Sequence, residues 1–109
     1  MPKIDLSTAK LHLRVDGADE DTLISAWISA AYLAVEGVIF RKVYDDAETI
    51  PEEDTTGIHT NAAINAAVLL IVGSLYQFRE DVVVQGQPIK LPMGSEFLLT
   101  PYINFEGGA

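Results

Sequence analysis

Residues 61–78, NAAINAAVLLIVGSLYQF, form a helix-length run that is apolar on almost every side. A helix at the surface of a globular domain shows one apolar stripe and one polar face, so a helix apolar all round needs cover on every side. A chain of 109 residues has few elements with which to provide that cover. Either the helix is the centre of a compact bundle, or another copy of the protein covers part of it. Both alternatives point to assembly rather than chemistry. As a membrane span the run falls short of the roughly 20 residues a bilayer requires. It also contains Asn65, Gly73, Ser74 and Gln77 and lacks a basic flank. The expectation is a buried helix and no membrane partner.

Upstream, Ile24, Ile28, Ala31, Val35 and Val38 recur at helical spacing and predict a second long helix over residues 19–40. Leu23, Trp27, Ala30 and Ala34 define an adjacent face, so its buried arc is wide. Small residues at Ser29, Ala30, Ala31 and Ala34 allow close helix–helix approach. Asp19, Glu20 and Asp21 suit the positive start of this helix, and Arg41 and Lys42 suit its negative end. Before it, Asp5 or Ser7 caps a short first helix through about Leu13. Thr60 or the preceding turn is expected to cap the long apolar helix.

Beyond that helix the pattern changes. Val82, Val83 and Val84, a Gln85-Gly86 turn and Ile89-Lys90-Leu91 predict a hairpin arm over 82–92. A lone hairpin is barely stable in water, so this arm is expected to lie on something. Ser95 is placed to cap a short last helix, SEFLLTPYI, which Pro101 cuts or kinks, and 104–109 reads as a flexible tail. The predicted fold is a single mainly α domain: a small helical bundle of two long and two short helices with a short β-hairpin arm.

The formal net charge of −9 argues against a protein that grips phosphate, because nucleic-acid binding needs a basic footprint. Six of the carboxylates (Asp45, Asp46, Glu48, Glu52, Glu53 and Asp54) lie in YDDAETIPEEDTTG, residues 44–57, which holds no basic residue and reads as a solvated loop. The chain has no cysteine, which excludes disulfides, thiolate metal sites and cysteine nucleophiles. The N-terminal MPKIDLSTAKLHL lacks the apolar core of a signal peptide, so no secretion is expected and the cytosol is the default compartment. His12 and His59 have no catalytic context. Asp16, Asp19 and Asp21 depart from the spacing of a calcium loop and read as helix-start acids. No phosphate loop, nucleophile elbow or paired-histidine zinc motif is present. The expectation is a non-enzymatic protein with no cofactor and no metal.

Three clusters carry a resemblance to a known family. They are AKLHLRVD at 9–16 with the acidic, alanine-rich helix ending VEGVIFRK, then NAAINAAVLLIVGSLYQFRED at 61–81, then LPMGSEFLLTPYI at 91–103. In this order they resemble the head–tail connector (adaptor) proteins of tailed phages, the gene-product-six-like family, from about Ile4 to Ile103. The family pattern often ends in a basic residue after the Pro-Tyr pair, where this chain has Ile103-Asn104. The resemblance implies a ring of about twelve subunits beneath the portal protein. It also implies a channel through which DNA passes without specific binding, and a docking surface for a downstream connector or tail-completion protein. The location so implied is the head–tail junction of the virion, with the host cytoplasm during assembly.

On that reading Trp27, Tyr32, Glu36, Tyr76, Phe78, Arg79, Val83 and Ile89 are candidate subunit-interface residues, with Arg79 a candidate to pair across the interface with an acidic residue such as Glu36 or Asp21. The six acids of 44–57 are candidates for a surface facing the channel or a partner. The alternative is an acidic monomeric or dimeric protein-binding module that captures a basic partner through the 44–57 loop.

Overall fold

The computed structural model describes residues 2–77 and 93–104. It is mainly helical, as expected: α1 (Leu6–Leu13), α2 (Asp21–Ile39), α3 (Ala62–Gln77) and α4 (Met93–Leu99), the last continued by a 3-10 turn over Thr100–Tyr102. The predicted arm at 82–92 lies outside the described residues.

Local chemistry sets the helix ends. Asp5, in extended backbone, accepts the Thr8 N–H at 2.8 Å and so satisfies one of the free donors of α1. That bond holds the Asp5 carboxyl below its ordinary range. Arg14 ends α1 in the left-handed region at φ 60°, and Phe40 ends α2 in the same way at φ 56°. The start of α2 has no side-chain cap; its first-turn Asp21 instead pairs with Lys10 at 2.8 Å, which ties α1 to the positive end of α2.

Three local expectations need correction. The cap of α3 is Asn61, whose Oδ1 accepts the Ile64 N–H at 3.0 Å, while the Thr60 hydroxyl turns inward to Asn65. Ser95 does not cap α4: the helix begins at Met93, and Ser95 is fully buried within it. Asn104 is not part of a loose tail. Its N–H donates to the Ile39 carbonyl at 2.7 Å and its side-chain amide to the Phe40 carbonyl at 3.4 Å, so it covers the open C-terminal end of α2.

The acidic loop also has more structure than a solvated excursion. Its ends pair as two parallel strands, β1 (Val43–Tyr44) and β2 (Ile58–His59), with Val43 opposite Ile58 and Tyr44 opposite His59. Arg41 fastens this unit to the far end of the chain. Its Nε donates to the Tyr102 carbonyl at 2.8 Å and its Nη1 to the Thr56 carbonyl at 2.9 Å.

The apolar run at 62–77 is the centre of the bundle. Ile64, Ala67, Val68, Ile71 and Val72 of α3 meet Ala31, Val35 and Ile39 of α2 and Leu99 of α4 in one core, each at most 3% exposed. α1 lies against both α2 and α3. One chain therefore covers most of α3, with Leu70 left 38% exposed, and a longer open apolar surface lies elsewhere.

Candidate functional site

That open surface is the outer side of α2. Leu23, Ala26, Ala30, Leu33, Gly37 and Phe40 recur every three or four residues, and all are exposed. Leu33 is 68% exposed, Phe40 50% and Leu23 44%. The opposite side, with Ile24, Ala31, Val35 and Ile39, is in the core. Among the described residues α2 is the helix long and apolar enough to cross a membrane by length and composition, a property it owes to being apolar on both sides. The sequence shows this wide arc, yet periodicity alone does not say which part the chain covers itself.

The candidate interface residues have diverse positions. Trp27 and Tyr76 are half-buried and meet edge to face within one chain, ring centroids 6.0 Å apart, joining α2 to α3. Tyr32 is 6% exposed, and its hydroxyl accepts the Ile4 N–H at 2.8 Å and donates to Asn65 Oδ1 at 2.7 Å. Burial raises the pKa of this phenol. Glu36 accepts the Val43 N–H at 2.8 Å, bracing the start of β1. Glu36 and Asp21, the expected partners of Arg79, thus both have partners inside their own chain. Phe78, Arg79, Val83 and Ile89 lie outside the described residues.

Asn65 was missed at the sequence level. Its Oδ1 accepts from the hydroxyls of Tyr32 and Thr60, and its Nδ2 donates to the Pro2 carbonyl at 2.8 Å. These bonds clip the N-terminal segment across α2 and α3. The available signal was a lone polar residue in the middle of the apolar run. On either side of the clipped segment lie shallow open grooves of about 390 and 340 Å³. The larger is mostly apolar, lined by Ile4, Ala62, Ala66 and Leu69 among others, with Lys3 and Asp5 as its charged residues.

The six acids divide by role. Asp54 is structural: Oδ2 accepts the Tyr44 hydroxyl at 2.6 Å, and Oδ1 accepts the N–H groups of Thr56 at 3.2 Å and Gly57 at 2.8 Å. The hydroxyl bond, then the amides, hold the Asp54 carboxyl below its ordinary range, and the same carboxylate pushes Tyr44 up to about 12. Gly57 allows this closure, because a Cβ there would stand 2.5 Å from the Asp54 carboxylate and 2.6 Å from the Tyr44 ring. Glu48 accepts the Asp45 N–H at 2.9 Å, and Asp45 the Ala47 N–H at 3.3 Å, in a turn of their own. Asp46, Glu52 and Glu53 are exposed. No group of three or more His, Cys, Asp or Glu among the described residues is placed to hold a metal ion.

The described residues thus form a small helical bundle with an open apolar helix face and an acidic loop. Residues 3–88 match the family model of phage gp6-like head-tail connector proteins, and the chain belongs to that family, one of structural phage proteins at the head–tail junction. The fold agrees. The chain is similar to the crystal structure of bacteriophage HK97 gp6, with a TM-score of 0.65, 20% identity and 93% of each chain covered. Comparison with curated proteins finds no match.

Proposed function

We propose that the chain is a ring-forming subunit of a phage head–tail connector, seated beneath the portal, extending the DNA channel and offering a docking surface to tail-side proteins. Family membership over residues 3–88 is the observation that carries this reading. The open apolar face of α2 supports it, since contiguous exposed apolar surface marks interaction sites. Repeated head-to-tail contacts close into a ring, here of about twelve copies as the family implies. Acidic side chains such as Asp46, Glu52 and Glu53 would line a channel without retaining DNA, because phosphate binds basic surfaces and leaves them only with salt. The arm at 82–92 is proposed to hook a neighbour or the portal.

Native mass spectrometry across a concentration series, with negative-stain images of the same sample, tests this. Closed rings, alone or on added portal protein, are expected. A monomer at every concentration, unchanged by portal, would leave the acidic binding module as the better reading.

A further inference from the structure

Gly37 leaves a gap in the exposed apolar row of α2, a hollow open to a side chain from outside the chain. Between Leu33 and Phe40 stands Gly37, and a side chain built there meets nothing within 4 Å. Gly37 has neither a positive φ nor a crowded site to account for it. Glycine is disfavoured in a helix interior against alanine. Its use here fits a position where a group from outside the chain comes close. Leu33 and Phe40, 68% and 50% exposed, flank this gap along the helix. Glu36, beside it, directs a carboxylate oxygen onto the Val43 N–H.

The chain also carries a knob. Phe97 is 81% exposed, and it lies two residues before the fully buried Leu99, on the outward side of α4. Both α2 and α4 rest on α3 and meet each other over little area. A second copy can bring the hollow and the knob together. An exposed α-helix face of 19 residues is about 28 Å long and 10 Å wide, or roughly 300 Å². A buried Phe adds about 150–250 Å². Together they match the apolar centre of a standard interface of about 800 Å² per partner.

We infer that Phe97 of one subunit seats in the Leu33–Gly37–Phe40 hollow of the next. The contact joins two different surfaces, so it repeats from subunit to subunit and gives a ring where the rotation closes. This inference rests on the ring reading above.

Three variants of the full chain test it: Leu33→Asp, Phe97→Asp, and Gly37→Leu, which fills the hollow in open space. Each is expected to keep the helical circular dichroism and melting temperature of the parent. Each should also raise the dissociation constant for self-association about thirtyfold or more, the loss of a hot-spot contact. Leu33→Asp retains the knob and Phe97→Asp retains the hollow, so an equal mixture of the two should form dimers and stop there. Rings that persist in any of the three variants, or a mixture that stays monomeric, overturn the seat while leaving the ring reading intact. A parent chain that never assembles, even on portal, removes the ring reading and the inference together. Flotation with anionic phosphatidylcholine–phosphatidylglycerol vesicles provides the remaining arm. Binding lost in Leu33→Asp but kept in Phe97→Asp would assign the face to lipid and overturn the proposal.

Discussion

A buried asparagine is tolerable only when its amide is fully used, and Asn65, 4% exposed, uses both ends. Asn65→Leu would leave the Tyr32 and Thr60 hydroxyls and the Pro2 carbonyl without this partner, which costs about 2–4 kcal/mol of stability. Urea denaturation measures the loss, and an unchanged midpoint would refute the clip. Phe40 behaves in the opposite direction. A bulky residue at φ 56° sits where glycine is favoured, so Phe40→Gly should raise stability by up to about 1 kcal/mol. It also removes one flank of the hollow, so assembly should weaken while the monomer melts later. A variant that gained or lost both properties together would contradict the separation of fold from interface.

Among the elements, the loop between β1 and β2 depends most on protonation. Asp54 has a depressed pKa, so its contribution is present above the ordinary value of 3.8 and is lost as pH falls through the lower folded value. Tyr44 has a raised pKa, so its contribution is present below its ordinary value of 10.0 and is lost as pH rises through about 12. The protection factor of the Gly57 amide, its exchange rate relative to an unfolded chain at the same pH, should therefore hold a high plateau between these limits and fall outside them. Asp54→Asn should remove the acid-side change. Gly57→Ala should loosen the loop at every pH by about 1–3 kcal/mol, because the methyl group collides with the Tyr44 ring. An Arg41→Ala variant should detach both Thr56 and Tyr102 from the end of α2, and a lower melting temperature with faster exchange at Ile103 checks this.

The long elements were legible because periodicity reports burial directly: α2 and α3 follow from Ile24 to Val38 and from the 61–78 run, with ends within a few residues. The β1–β2 pair was not legible, since two-residue strands in an acidic stretch show no alternation. The start of α4 was misplaced because Ser95 has a capping residue's chemistry but a core residue's position. Capping preference is local, whereas burial is decided by distant partners. The open face of α2 was only half legible. The sequence shows a wide apolar arc, and it took the packing of α3 to show which side remains uncovered.

At the scale of the whole molecule, charge and apolar surface occupy separate places. The acids of 44–57 lie on the loop beyond β1, and the outer face of α2 between Asp21 and Glu36 carries no charge. Replacing Asp46, Glu52 and Glu53 by Asn, Gln and Gln should thus leave ring formation intact and lower its salt dependence. Sedimentation velocity at two ionic strengths makes the check. Loss of rings at both strengths would place those acids in the contact. Asp54 is left unchanged in this variant, because its loss would also open the loop.

Two of the side-chain ties that hold the ends of the described fold span the longest stretches of sequence: Asn65 reaches Pro2 across 63 positions and Asn104 reaches Phe40 across 64. Such closures are made late, since the chain between them must be ordered first. During synthesis α2 leaves the ribosome well before α3, so for that interval both its sides face water. The inner side is covered as residues 62–77 emerge, while the outer side stays open. A nascent chain is therefore most prone to clump in the window before α3 arrives, and slowing translation between residues 44 and 61 should lower soluble yield.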